Sequence, residues 1–550
     1  MREKADTEGV DLLLIDTGDR IEGNGLYDAS DPKGIYTREI FKEQAIDVIC
    51  SGNHELYLQN SSDSEYLHVV PSFRGNYLAS NLDIFDSKTG QRVPLAQRYK
   101  KFTTKNQGIR ILAFGFLFDF TGNYNNTVVQ PVAETIQEKW FQDAIRDREV
   151  DLFLVAGHVA IRSEEYMNLY RAIREVQWDT PIQFFGGHTH IRDYKRYDSK
   201  AYAVESGRYM ETIGFQSISG LSTGGKQENF RKASSPTFGR RYIDNNLYSF
   251  HHHTNLNATT FPTPHGRNVS AMISSARKSL NLDNQFGCAP TDLWTNRAPY
   301  PSNKSIFSWL EQQVLPGSIL DTIRGEKPRI VVANTGALRF DIFEGPFTID
   351  TTFTVSPFAG GLRYIQDVPF GIADRLLKVL NNEGEILEQA APQLRSWMLA
   401  PPEQMAVQND IIASTSDIYL ADNSYQHPLT NQKQSLTPGY TTKDDAGTDG
   451  DDTIHSPLSF YRVPNCIEAR LSFPSTIPSP SPSSKPTLSD PENPETVDLV
   501  YLEFIQPWIL FAAKFLGGEY EIGDTRPYME GEGFTAILAR WVKENWKGDC

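Results

Sequence analysis

Four short apolar runs in the first 190 residues end alike, in a glycine followed by a residue able to bind a metal ion. Val10–Asp16 (VDLLLID) leads into Thr17-Gly18-Asp19, and Ala45–Ser51 (AIDVICS) into Gly52-Asn53-His54-Glu55. Asp151–Ala156 (DLFLVA) leads into Gly157-His158, and Pro181–Phe185 (PIQFF) into Gly186-Gly187-His188-Thr189-His190. Further runs lie at Ile109–Phe118 and Ala201–Glu205. Several are almost continuously apolar, as strands covered on both faces are. Between them Glu134–Arg148 and Glu164–Val176 carry apolar stripes at helical spacing. The alternation predicts an α/β layered sheet.

In open parallel sheets the ligand crevice lies outside the carboxyl ends of the strands. Glycine lets the backbone turn sharply and approach an ion. Asp and Asn oxygens and His nitrogens suit Zn, Mn or Fe(II). A single Gly-Asp or Gly-His is commonly a turn. Four such tips in order, each at a strand end, point to a metal site built from Asp19, Asn53, His158, His188 and His190. Alternate residues of an extended segment face opposite ways, so His188 and His190 share a site only if the chain kinks at Thr189. His251-His252-His253 lies in a stretch, 221–262, that reads as a long loop. Adjacent side chains diverge, so the triplet reads as structural or surface.

Lys and Arg number 53 against 69 Asp and Glu, a formal charge of −16. Binding to nucleic acid or an anionic membrane needs a basic face, so both are disfavoured. The longest apolar stretch, Leu499–Gly518, is broken by Glu503, Pro507 and Lys514 and reads as core, not as a membrane span. Four cysteines are too few for a disulfide framework. One bridge, with Cys288–Cys466 as a candidate, is the most that the count suggests. Sequons at Asn60, Asn125, Asn257, Asn268 and Asn303 are about as many as this composition gives by chance. The opening MREKADTEGVD has no apolar h-region, so no signal peptide is expected.

The second half is again mixed α/β. A helix is expected at about Val269–Leu280, then apolar runs at Arg329–Ala333 and Thr351–Val355, and a helix near Ile372–Asn381. Thr437–Ser456 is acidic and Gly-rich. Ser475–Thr496 is Pro/Ser-rich and reads as a disordered insertion within a domain. The expected domains are 1–262 and 263–550.

The tips resemble the calcineurin-like metallophosphoesterases, whose pattern is D-x-H, G-D, G-N-H-[DE], G-H and G-H-x-H. The match covers residues 12–190. Downstream, Asn334-Thr335-Gly336-Ala337-Leu338-Arg339 resembles the N-x-G-[GA]-[IL]-R signature of the 5′-nucleotidase branch, followed by Ser356-Pro357-Phe358. The RRYIDNNLYSF and YTTKDDAGTDGDDT stretches look like a fungal-type subgroup. The resemblance implies a metallophosphoesterase sheet sandwich flanked by helices, a second α/β substrate-binding domain, and two divalent ions (Zn, Mn, Fe or Mg). Asp19 would bridge them; Asn53, His158 and His188 would complete one site, and His190 would serve the other. His54 would contact the phosphoryl oxygen or protonate the leaving alkoxide, with Glu55 or Asp16 orienting His54 or a ligand. Asn334, Gly336 and Arg339 would meet the substrate, with Arg339 clamping a nucleotide. A water shared by the ions would be made acidic and attack phosphorus in line. The substrate would be a small nucleotide or phosphate ester, and the compartment secreted or vacuolar.

Two departures bear on this. Only nine residues precede the first run, leaving no room for D-x-H. A chain shortened at its start is therefore expected, and a first ion left with Asp19 and His190. A one-metal nucleotide- or phosphate-binding protein is the alternative, with a phosphodiesterase or protein phosphatase on the same core as a third reading. The branch also stacks the base between two aromatics. Tyr364 and Tyr440 are the nearest candidates, and neither sits in a clean motif.

Overall fold

The apolar runs assemble into two facing layers in a computed structural model that describes residues 1–221, 236–319, 324–358, 360–382, 394, 398–404, 461–473, 493–548 and 550. The larger sheet has six strands in the order Arg192–Asp198, Ala201–Ser206, Ile182–Phe185, Leu152–His158, Arg110–Leu117, Tyr99–Thr103. Its four central strands are parallel and its two edges antiparallel. Opposite it, Ile15–Asp16 pairs in parallel with Val48–Ile49, and isolated bridges extend this layer through Tyr77 and Leu78.

The central strand Leu152–His158 shows why its sequence is apolar throughout. Leu152, Leu154 and Ala156 pack between the sheets with Val48, Cys50 and Leu78. Phe153 and Val155 pack outward on Phe141, Tyr166, Leu169 and Ile173 of the covering helices. Period-two alternation with both faces buried leaves no polar position. Each large apolar side chain so buried contributes about 1.5–3 kcal/mol.

Several elements differ from the sequence reading for local reasons. Only Ile15–Asp16 of the run 10–16 is strand, because Leu14 N bonds the Asp47 carboxylate at 2.8 Å instead of a neighbouring backbone. The expected helix 134–148 is two helices, Val132–Thr135 and Lys139–Ile145, separated where Glu138 turns extended. The expected loop 221–262 is neither long nor structureless among its described residues. Thr237–Asp244 pairs antiparallel with Thr212–Ser219, and Leu247–Thr254 is a helix that carries the three histidines. Thr351–Val355 is helical, part of Ile349–Val355. A capping box between Thr348 and Thr351 fixes its start and overrides the β-branched composition.

The second lobe holds a five-stranded sheet, in the order Cys466–Leu471, Arg329–Asn334, Thr496–Leu502, Leu362–Pro369, Thr525–Tyr528. The helices Phe370–Asn382, Gln506–Phe515 and Phe534–Asn545 cover it. The helix Pro264–Ser279 packs back on the first lobe, and Asp350 bonds both Gly25 N (2.8 Å) and Arg277 (2.6 Å) across the junction. The acidic stretch 437–456 and most of 475–496 lie outside the described residues; Thr496 opens a strand. No described helix is long and apolar enough to cross a membrane.

The disulfide is Cys288–Cys550, with Cα atoms 5.6 Å apart, not Cys288–Cys466. Cys466 is a buried free thiol within the second sheet, whereas Cys288 N bonds Trp546 O at 3.0 Å, which brings the chain end alongside. The loop closed spans 262 residues. Cys550→Ser is expected to cost about 2–4 kcal/mol, read as a lower denaturation midpoint of the second lobe by tryptophan fluorescence.

Candidate active site

Two loop tips form the floor of the site. Gly18 and Gly52 approach so closely that a Cβ on Gly18 would strike Gly52 N, and one on Gly52 would strike Asp19 Oδ1. No other residue fits either place. Glu55, fully buried, accepts from Asp19 N (3.1 Å), Arg20 N (2.7 Å) and Gly52 N (2.8 Å), so one carboxylate ties the tips together. The Arg20 guanidinium lies 3.8 Å from Glu55, pairs with Glu65, and bonds Asp16 at 2.9 Å. The buried charges are thus compensated.

Three ligand-type side chains meet above this floor. Asp19, His158 and His188 present atoms all within 4.8 Å of one another. His158 Nδ1 lies 3.0 Å from Thr17 O, an acceptor only, so it carries the proton. His158 Nε2 then turns its lone pair to Asp19 Oδ2 at 3.0 Å and to His188 Nδ1 at 3.2 Å. A carboxylate and two imidazoles that converge in this way are a donor set that a divalent cation accepts. Asn53, buried beside them, donates Nδ2 to Tyr57 at 2.8 Å and leaves Oδ1 without a hydrogen-bond partner. The residues present therefore fit a metal ion.

The kink required at Thr189 is present. His188 and His190 both hold positive φ (79° and 60°), and Thr189 Oγ1 donates to buried Glu205. Glu205 also accepts from Ile161 N at 2.7 Å. His188 stacks on Phe118 with centroids 4.2 Å apart. Burial, then the neighbouring His158, push the His188 pKa down to about 3. Burial, followed by Arg339 and Arg208, holds His190 well below the ordinary imidazole value. Both are thus neutral, the form that binds metal. His190 stands outside the cluster of three, with Nδ1 3.9 Å from Glu403 of the second lobe.

His54 donates its backbone N–H to Asp19 Oδ1 at 2.9 Å, and its Nε2 lies 3.7 Å from Asp19 Oδ2. Its Nδ1 contacts Glu22 at 2.6 Å. Glu55 acts on the loop that carries Asp19, while Glu22, which sequence spacing does not single out, is the carboxylate on His54. Burial opposes charge on His54, but Asp19 and Glu22 outweigh it and raise its pKa.

The second lobe closes the site with Arg339. Its Nε and Nη1 are buried without hydrogen-bond partners, and its guanidinium lies 4.9 Å from the Phe358 ring centroid. An ordinary surface ion pair is therefore not its role. Tyr209 of the first lobe donates to Arg339 O at 2.6 Å. The Phe358 ring lies 6.2 Å from His54 and 6.4 Å from Phe504, with the two phenylalanine rings 18° from parallel. Asn334 and Gly336 bond Leu399 O, at 3.3 and 2.8 Å, and Asn334 Oδ1 stays unpartnered. Tyr364 packs instead on Tyr528, and Tyr440 lies outside the described residues.

Known proteins resemble this chain over both lobes. Residues 1–192 match the calcineurin-like phosphoesterase family, and residues 292–510 match the C-terminal domain of NAD nucleotidase. An uncharacterised protein of Schizosaccharomyces pombe is 36% identical over 575 residues, covering 100% of this chain and 86% of that protein. A secreted protein of Arthroderma benhamiae is 33% identical, covering 100% of this chain and 85% of that one. The crystal structure of a Candida albicans 5′-nucleotidase superposes with a TM-score of 0.80 at 37% identity, over 99% of this chain and 91% of that one. The chain is a hydrolase of the calcineurin-like phosphoesterase family. Within that family it belongs to the 5′-nucleotidase branch.

Glu205 supplies a pH test of the loop. Burial, then nearby Asp193, raise its pKa from 4.5 to about 8. A raised acid pKa gives stability that is complete below about 4.5 and is lost as pH rises through about 8. Glu205→Gln keeps an acceptor for Ile161 N and a group facing Thr189. It is expected to flatten the fall in unfolding midpoint across that window, measured by thermal melts at a series of pH values.

Proposed function

We propose that this protein is a divalent-metal-dependent phosphomonoesterase that removes the 5′-phosphate of a nucleotide. The observation that carries the reading is the convergence of Asp19, His158 and His188 beneath an unpaired Arg339. In this reading residues 1–262 hold the metal and 263–550 the nucleoside. Asp19, Asn53, His158, His188 and His190 hold divalent ions. Such ions, when bound, would supply Lewis acidity for the phosphate oxygens and for a water. Arg339 offers its fork of donors to the phosphate. His54, oriented by Glu22, gives a proton to the departing alkoxide. Phe358 and Phe504 present near-parallel faces for a planar base, which the flat rings of a nucleobase suit. Asn334 and Gly336 support the same wall. The disulfide and a secreted relative favour an oxidising compartment.

Hydrolysis of nucleoside monophosphates, cyclic nucleotides and phosphopeptides tests the substrate class; equal rates on all three would reject a nucleotidase. Asp19→Asn and His188→Ala are expected to lose both bound metal and turnover, read by elemental analysis and phosphate release. His54→Ala is expected to keep its metal while kcat falls by about 10²–10⁴-fold. An unchanged kcat would remove His54 from the reaction. Metal content also separates the alternative, since a protein that binds phosphate without hydrolysing it would hold one ion or none. Phe358→Ala is expected to raise KM for nucleotides but not for p-nitrophenyl phosphate.

A further inference from the structure

A carboxylate of the second lobe reaches the loop that carries the histidines. Glu403, among the described residues 398–404, is 1% exposed. The segment is braced on both sides. Leu399 O accepts from Asn334 and Gly336, and Gln404 exchanges two 2.8 Å hydrogen bonds with the Val463 backbone. Glu403 forms an ion pair with Arg208 of the first lobe, and its Oε1 lies 3.9 Å from His190 Nδ1. Neither Glu403 oxygen nor His190 Nδ1 has a hydrogen-bond partner, although all three atoms are buried. A buried carboxylate with one cationic neighbour and no hydrogen bonds is costly. A buried imidazole N–H beside it is the donor that would satisfy it.

We propose that Glu403 is the positioning carboxylate of His190, so that the second lobe supplies part of the outer shell of the metal centre. The inference rests on the reading of His190 as a metal ligand. A histidine that binds metal through one ring nitrogen gives the other N–H to a carboxylate or carbonyl, which sets the tautomer and raises its basicity. With Nδ1–H directed at Glu403, Nε2 is the atom left to coordinate. Arg208 pairs with the same carboxylate across the lobes. Metal affinity in the first lobe then depends on a residue more than 200 positions away. It also depends on the Asn334-Thr335-Gly336 turn that holds Leu399 in place.

The competing account is an interlobe ion pair, Arg208–Glu403, to which His190 is a bystander. Calorimetric titration of the chelator-treated full-length protein with Mn(II) separates the two. Glu403→Gln is expected to weaken Mn(II) binding by about 10–100-fold, with metal-free circular dichroism and unfolding midpoint close to wild type. Arg208→Lys disturbs the same ion pair but leaves a cation beside the carboxylate, and is expected to keep the affinity. In a His190→Ala background, Glu403→Gln is expected to cause no further loss. Wild-type affinity in Glu403→Gln, or equal weakening in Glu403→Gln and Arg208→Lys, overturns the proposal while leaving His190 a ligand. Wild-type affinity in His190→Ala overturns the ligand reading itself, and the inference with it. If Glu403→Gln does not fold, Glu403→Ala in the same cycle gives the same comparison.

Discussion

The near-contact of Gly18 and Gly52 governs the architecture of the site. Two strands two residues long cannot by themselves hold their loops to a fraction of an ångström. The precision comes from removing both side chains and stapling the backbone to Glu55. Three N–H groups converge on one carboxylate, and the Arg20 guanidinium lies 3.8 Å from it. Asp19 takes positive φ because the staple fixes its backbone on either side. The carboxylate that faces His158 is thus placed by main-chain geometry and held by the His54 N–H on its other oxygen.

The same economy recurs at the other loops. His158 is aimed by Thr17 O, His188 by the Phe118 face and the Thr189–Glu205 anchor, and His54 by Glu22. Each of these three histidines has a partner from a different strand or loop of the same lobe. His190 departs from this pattern, since its nearest carboxylate belongs to the second lobe. The lobes are joined by Asp350, Tyr209 and Arg208. These contacts bring Arg339 and the Phe358–Phe504 pair over the first-lobe cluster. Phosphate and base recognition therefore depend on how the lobes sit, while the cluster of three is complete within one.

Much of this was legible in the chain. The Gly-Asp, Gly-Asn-His, Gly-His and Gly-His-x-His tips end on the strands that periodicity places, and Asp19, His158 and His188 do converge. The Thr189 kink follows from period-two geometry alone. The partners were not legible. Glu22, Glu205 and Phe118 are ordinary residues whose roles depend on contacts across 32, 16 and 70 positions. Phe504 has no motif around it. The Cys288–Cys550 pairing was open for the same reason, because no spacing rule links residues 262 apart. Thr351–Val355 misleads in a different way: β-branched composition favours strand, and a cap at Thr348 decides for helix.

Local chemistry written into the sequence determined which residues can turn sharply, which can bind a cation, and where strands must be apolar on both faces. These are properties of a residue and its near neighbours, and they suffice for the layered α/β class and the set of ligand candidates. Which carboxylate serves which histidine, whether Arg339 is paired or bare, and which aromatic rings face one another were decided only by tertiary packing. Such pairings join segments whose separation along the chain carries no signal, and burial, which gives a single contact its energetic weight, exists only once the chain has folded.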